Sequence, residues 1–343
     1  MPFNKIQKFP TVEEILSSMP LPENLKALKK NRDKEIAGIF TGRDPRFILV
    51  IGPCSAHQED AVCEYVARLS RVQEKVKGKI ILIPRIYTNK PRTTGTGYKG
   101  MLHQPDHQKK PDIAKGLVSI RQMHIRALSE SYLPAADEML YPENYSYLED
   151  ILSYVAIGAR SVENQQHRLT VSGLDIPVGL KNPTSGDMKV MLDSIFASQQ
   201  PHIFIYNGWE VETEGNPLAH AVLRGSMNSE GVNIPNYHYE ELNKLAKLYT
   251  ERNLVNRAII VDTNHSNSGK KYKEQPRISL EIVRSMQHDK LLKEMVKGLM
   301  IESFLLEGVQ DLNGCEFGKS ITDPCLGWDD TEKLIYDLAD ALG

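Results

Sequence analysis

Four side chains of unlike softness, Cys54, His265, Glu302 and Asp323, could together hold one metal ion. A thiolate, an imidazole and two carboxylates would accept Mn, Fe, Co, Zn or Cu, with geometry and supply deciding among them. Taken singly, each reads as a buried free cysteine, a satisfied histidine or a helix-capping carboxylate. What favours the metal is that all four fall at positions the fold should bring together. A second set is cationic: Arg85, Lys90, Arg92, Arg160, Lys181 and Arg224. Most Arg and Lys are solvated surface, but Arg85, Arg160 and Lys181 directly follow apolar runs, where an unpaired charge is costly to bury. Arg grips phosphate or carboxylate through two parallel bonds, and Lys adds a point charge beside it. The set suits two substrates that carry two phosphates and a carboxylate between them.

The elements that must position these groups are short apolar runs separated by helical segments. Strands are expected at 47–51, 80–87, 134–136, 154–159, 177–181, 202–206, 258–262 and 298–304. They are nearly continuously apolar, as parallel strands covered on both faces are. Between them, Gln58–Lys77 places Val62, Val66, Leu69 and Val72 on one helical face, and Glu240–Arg252 does the same with Leu242, Leu245, Ala246 and Leu248. A last helix is expected over Asp330–Leu342. Eight strand–helix units predict an α/β fold, a (β/α)8 TIM barrel at residues 46–343, rather than a doubly wound open sheet. Residues 1–45 form an N-terminal extension with one clear helix between Pro22-Glu23 and Gly42, expected to serve oligomer or regulatory contacts. The alternation in Trp209-Glu210-Val211-Glu212-Thr213, inside the 207–236 stretch, suggests a small extra β-hairpin. In a barrel the chemistry sits where strands end. Here those ends carry Cys54, Arg85, Asp137-Glu138, Gly158-Ala159-Arg160, Lys181, His265 and Glu302, with Asp323 in the last loop.

Composition narrows the alternatives. The 343 residues are 41% hydrophobic and carry a net charge of −2, so no general affinity for nucleic acid is expected. Neither a signal-like stretch nor an apolar run of ~18 residues is present, so no membrane partner is expected. Cys54, Cys63, Cys315 and Cys325 form no CxxC pair, which argues against a zinc ribbon or a disulfide scaffold and fits a reducing cytoplasm. The stretch from Lys90 to Pro111 reads as a long functional loop. It is Gly-rich but matches neither a Walker A nor a GxGxxG pattern, so a nucleotide is not its ligand.

These residues closely resemble one family, the type I 3-deoxy-D-arabino-heptulosonate 7-phosphate (DAHP) synthases, in length nearest the α subgroup. The likeness rests on Ile51-Gly52-Pro53-Cys54-Ser55, Lys90-Pro91-Arg92-Thr93-Thr94, Gly158-Ala159-Arg160, Pro177 to Asn182, Leu223-Arg224-Gly225, His265-Ser266 and Gly318 to Asp323. It implies a metal-dependent condensation of phosphoenolpyruvate, erythrose 4-phosphate and water to DAHP and phosphate, the first step of the shikimate pathway to the aromatic amino acids. Carried over by motif, Cys54, His265, Glu302 and Asp323 would hold one divalent metal (Mn2+, Fe2+, Co2+ or Zn2+). Arg85, Arg160, Lys181 and Arg224 would hold phosphoenolpyruvate, helped by Glu138 and the backbone of Gly158 and Ala159. Lys90, Arg92, Thr93 and Thr94 would position erythrose 4-phosphate. The catalytic roles would fall to Lys90, Glu138 and His265, with Lys90 or a water at the metal giving the proton to the aldehyde oxygen, and Glu138 orienting the incoming water.

Some positions depart from that pattern. Asp137 stands where a Gly often precedes the glutamate, and Gly95-Thr96-Gly97-Tyr98 is slightly longer than the usual Val-Gly-Trp. Tyr206 occupies a place commonly held by a small residue, and Asp175 follows Gly173-Leu174, so inhibition by an aromatic amino acid is expected to be altered or absent. The competing readings are a synthase acting on a longer sugar such as arabinose 5-phosphate, against which Lys90–Thr94 speaks, and a non-catalytic sensing barrel, which would have lost a ligand or a phosphate-binding Arg. A homodimer or homotetramer is expected.

Overall fold

The computed structural model describes residues 2–92 and 95–343. Its centre is a ring of eight parallel strands: β1 (Phe47–Gly52), β2 (Ile80–Pro84), β3 (Ala136–Glu138), β4 (Tyr154–Ile157), β5 (Val178–Lys181), β8 (Ala219–Leu223), β11 (Ile259–Asp262) and β12 (Val296–Glu302). Two small antiparallel pairs lie outside it, β6 (His202–Tyr206) with β7 (Trp209–Thr213), and β9 (Ser226–Met227) with β10 (Asn233–Ile234). The ring runs β2-β1-β12-β11-β8-β5-β4-β3. It closes through one parallel bridge between Arg85, just past β2, and Ala136, where the Ile86 amide donates to the Ala136 carbonyl at 2.9 Å. The fold is the (β/α)8 barrel that the strand count predicts.

β1 reads FILVIG and is buried throughout, as a strand must be when helices cover one face and the barrel interior the other. The covering helices are amphipathic; α3 (Glu59–Val76) turns Val62, Val66, Leu69 and Val72 inward. Capping carboxylates and amides start several of them, as where Asp112 accepts the Lys115 amide at the head of α4 (Ile113–Ser131). The N-terminal segment holds α1 (Val12–Ser18), opened by a Thr11–Glu14 capping box, before α2 (Glu23–Phe40). At its end α2 sends Ile36, Ile39 and Phe40 into the barrel interior against Ile48, Val50 and Ile81, closing the floor. A cleft of about 970 Å3 opens at this same end beside Phe47, Lys79, Val296 and Lys297, on the far side from the strand ends where chemistry is expected.

One strand assignment is corrected. Residues 202–206 are not the sixth barrel strand; they form the first half of the hairpin, paired from His202↔Thr213 to Tyr206↔Trp209. The sixth barrel strand is β8, residues 219–223. HIFIY looks like a buried run, but its side chains alternate, with Ile203 and Ile205 exposed. AHAVL was hidden by its histidine, which lies fully buried between the Tyr154 hydroxyl and the Leu218 carbonyl, 2.9 Å from each. Strand bounds also shift: β2 stops at Pro84, β3 begins at Ala136 and runs to Glu138, and β4 stops at Ile157. No helix among the described residues is long and apolar enough to cross a membrane.

Candidate active site

β1, β12 and β11 are consecutive in the ring, so what leaves their carboxyl ends converges. Cys54 follows β1, Glu302 ends β12 and Asp323 sits in the closing loop; one ligand atom from each lies within 4.8 Å of the others. Cys54 Sγ is 3.4 Å from Asp323 Oδ2. His265 opens the short helix α8 (His265–Ser268) after β11, with Nε2 3.9 Å from Glu302 Oε1. Cys54, Glu302 and Asp323 therefore share one corner, and the His265 ring lies beside it against Glu302. The fit to a cation is supported by the donor set: Glu302 Oε1, buried, lies 2.9 Å from Arg85 Nη2 and 3.9 Å from His265 Nε2, whereas Oε2 accepts from Asn264 at 2.5 Å. His265 also holds a left-handed backbone, φ 46°, a conformation that non-glycine residues keep only where their surroundings impose it.

The electrostatics follow from burial set against close partners. Burial, aided by the neighbouring Glu302, pushes the Cys54 thiol up to about 11, so a cation must displace its proton to gain a thiolate. Burial alone would raise the Glu302 and Asp323 carboxyls, but the Arg85 and His265 charges hold Glu302 low, and those of Lys90 and His265 hold Asp323 low. Asp262, at the end of β11, behaves alike, with the His265 ring and Lys181 overcoming its burial. Its Oδ2 is 2.8 Å from His265 Nδ1 and 3.5 Å from Lys181 Nζ. Asp262 thus fixes the ring so that the other nitrogen faces the ligand corner.

The cations surround this corner. Arg85 is buried, pairs with Glu302 at 2.9 Å, donates to the Pro53 carbonyl at 2.9 Å and stacks on Tyr87 with its guanidinium carbon 3.9 Å from the ring centre. Lys90 Nζ is 2.8 Å from Cys54 Sγ and 3.0 Å from the Cys54 carbonyl. Its burial opposes a charge, but the sulfur, Glu302 and Asp323 outweigh that and raise it. Arg224, directly after β8, is half-buried and donates to Ser266 Oγ at 3.3 Å. Burial lowers it, and Arg160 nearby lowers it further. Neither Arg224 nor Arg160, which is exposed on the turn after β4, has a carboxylate partner among the described residues. Two guanidiniums that repel each other, with Asp262 and Glu302 near Arg224 but not paired with it, make a ready anion site.

Glu138 ends β3, and its Oε1 lies over Gly158, where any Cβ would come within 2.3 Å of it. That close approach is why β4 leaves the barrel through Gly158 and Ala159. In the long loop, Arg92 Nε donates to the Tyr98 carbonyl at 2.7 Å; Thr93 and Thr94 lie outside the described residues. Reading the sequence passed over three supports. Asp262 was detectable, three residues before a ligand at a strand end. Gln275, whose side chain bonds both the amide and the carbonyl of Glu302 at 2.9 Å, left no signal so far along the chain. Lys270, 2.9 Å from Asp323 Oδ1, stands in no motif and gave no signal. His57, three residues past Cys54, is buried with its Nε2 unpartnered.

A barrel whose mouth joins a thiol–imidazole–carboxylate corner to two guanidiniums without a paired carboxylate defines a class: enzymes that handle phosphorylated substrates beside a metal. Comparison with known proteins narrows the class. Residues 23–335 match the model of the DAHP synthetase I family. A phospho-2-dehydro-3-deoxyheptonate aldolase of Haemophilus influenzae is 37% identical over 336 residues, covering 96% of this chain and 90% of that protein. The Phe-sensitive and Tyr-sensitive enzymes of that name from Escherichia coli K12 are 36% and 34% identical, over 96% of this chain and 93% and 91% of theirs. The solved structure of the aldolase of that name from Francisella tularensis superimposes with a TM-score of 0.92 at 32% identity, covering 99% of this chain and 98% of that one. The chain belongs to the DAHP synthetase I family, and it is an enzyme of the first step of the shikimate pathway.

Proposed function

We propose that the mouth joins phosphoenolpyruvate to erythrose 4-phosphate and that the roles divide as the geometry divides the charges. Arg160 and Arg224, with Lys181 and Arg85 beside them, bind the phosphate and carboxylate of phosphoenolpyruvate, against the backbone of Gly158 and Ala159. Lys90, Arg92, Thr93 and Thr94 position erythrose 4-phosphate. Holding two anions face to face requires these cations to offset their repulsion, and orientation then supplies much of the rate. Cys54, His265, Glu302 and Asp323 would hold a divalent ion, Mn2+, Fe2+, Co2+ or Zn2+, which when bound polarises the aldehyde carbonyl as a Lewis acid. Carbon 3 of phosphoenolpyruvate bonds to the aldehyde carbon, and Lys90, charged and buried in the mouth, gives a proton to the oxygen left behind. Carbon 2 is then captured by water, which Glu138 orients before phosphate leaves.

The observation that carries this reading is the adjacency of the ligand corner to two guanidiniums without carboxylate partners. The test is phosphate release on mixing both substrates with Mn(II). The reading requires that a chelator abolish it and that arabinose 5-phosphate replace erythrose 4-phosphate poorly; equal rates with the two sugars would refute the substrate assignment.

Two further elements go with this function. Tyr206 donates to the Pro142 carbonyl at 3.2 Å and meets Ser146 Oγ at 2.9 Å, filling the space beneath the hairpin. Altered or absent inhibition by phenylalanine, tyrosine or tryptophan follows, and titrating each against turnover decides it. The exposed apolar side chains of the hairpin and of residues 3–9 support a homodimer or homotetramer, and four free cysteines support residence in the cytoplasm.

A further inference from the structure

The barrel ring is weakest between β2 and β3. A single backbone bridge, Arg85 with Ala136, joins them, and past it the strands share no ladder among the described residues. At that point a buried carboxylate takes over. Asp137 Oδ1 accepts the Thr88 amide at 2.8 Å and the amide of the next residue, Glu138, at 2.7 Å. Oδ2 accepts the Thr88 hydroxyl in a short bond. His124 Nε2, from the middle of α4, lies 3.4 Å from the same oxygen. Asp137 and His124 are both buried, and among the described residues neither pairs with Cys54, His265, Glu302 or Asp323.

The chain positions on either side of this carboxylate matter. Thr88 precedes Lys90 by two residues, and the Thr88 carbonyl and Lys90 amide are themselves fixed, by Leu102 at 3.2 Å and Lys99 at 3.0 Å. Glu138 follows Asp137 directly and carries its own carboxylate over Gly158. One side chain therefore ties the backbone that delivers Lys90 to the backbone that delivers Glu138, across the seam where the sheet supplies almost nothing. Three donors and the His124 ring converge on it, which is how a carboxyl is tolerated at such depth.

We infer that Asp137 is a positioning residue, a side-chain clasp that sets Lys90 and Glu138 relative to each other, with His124 as its buttress. The inference rests on the roles proposed for those two groups. It concerns geometry and not charge at the reacting atoms, so an amide of the same shape should serve. An asparagine keeps one oxygen for the two backbone amides, and its NH2 can donate to Thr88 Oγ1, or to His124 Nε2 in the other tautomer.

The experiment compares Asp137→Ala, Asp137→Asn and His124→Leu in the full chain with Mn(II), measuring kcat, both KM values and the thermal unfolding midpoint. A misplacement of about 1 Å can cost on the order of 100-fold. Asp137→Ala is therefore expected to lose kcat by about 10- to 100-fold. KM for phosphoenolpyruvate should stay within about threefold, because the clasp makes no bond to Arg160, Lys181 or Arg224. Asp137→Asn should recover most of the lost kcat, and His124→Leu should lose less than the alanine variant. A folded Asp137→Ala enzyme with unchanged kcat would overturn the clasp, as would an asparagine variant as slow as the alanine one. Should Asp137→Ala not fold, the asparagine and leucine variants still decide. Lys90→Ala and Glu138→Ala run alongside; full activity in those would refute the roles of Lys90 and Glu138 themselves, a different failure.

Discussion

The barrel mouth and the β6–β7 hairpin break opposite rules. At the mouth, ionisable groups are buried: Arg85, Asp262 and Glu302 are each about 1% exposed. On the hairpin, apolar groups are bare: Ile203, Ile205 and Trp209 are 67, 75 and 74% exposed. The first departure is compensated within the chain, by Arg85 against Glu302 and by Asp262 against Lys181 and His265. The second is not. Buried charge with internal partners marks chemistry, whereas exposed apolar surface without them is open to contact with another molecule.

The largest effect that would break this contrast belongs to the ligand corner. Cys54→Ser should lower metal content and cut turnover by about 100- to 1000-fold, the several kcal/mol that a Lewis acid supplies. Full turnover of that variant without added metal would remove the corner from the chemistry. Next comes Arg224→Ala. Loss of a charge-assisted contact worth about 1.5–3 kcal/mol should raise KM for phosphoenolpyruvate by roughly 10- to 100-fold. An unchanged KM would show that this unpaired guanidinium is not an anion site.

A buried group outside the mouth gives a finer test. Burial holds His220 at about 4, well under its ordinary 6.5, and no carboxylate stands against it among the described residues. Above pH 6.5 both folded and unfolded chains keep it neutral. As pH falls from 6.5 towards 4 the unfolded chain binds a proton that the folded one refuses, so stability drops by about 1.4 kcal/mol per pH unit and the slope ends below 4. His57, also held at about 4 by burial, adds a similar loss. His220→Gln should flatten the acid side of a denaturation-versus-pH curve, and an unaltered slope would mean that the ring is charged where it lies. The smallest catalytic effect is expected on the hairpin. Ile203→Lys with Ile205→Lys should leave turnover per chain within about twofold while shifting sedimentation to a smaller species. Unchanged sedimentation would mean that this face is simply solvated.

The same contrast explains what could be read from residue order alone. The mouth was legible because polar residues interrupting apolar runs are conspicuous: Arg85, Lys181 and Glu302 each stand at the end of one. The ligand set needed only the knowledge that the first and last strands become neighbours. The hairpin misled for the converse reason. Its apolar letters are those of a buried strand, and nothing local says that Ile203 and Ile205 face outward. The true sixth strand was obscured by His220, whose polar ring is satisfied by Tyr154, 66 residues away. Supports such as Gln275 and His124 depend on contacts between distant segments and carry no local pattern.

The bridge at Arg85 gives the seam a further property. The backbone of this residue zips the ring shut, while its guanidinium reaches Glu302 on the other side of β1. Closure of the ring and placement of the charge thus depend on one residue. A ligand that grips the guanidinium would also hold the ring closed, and it should register as slower deuterium uptake at the amide of Ile86.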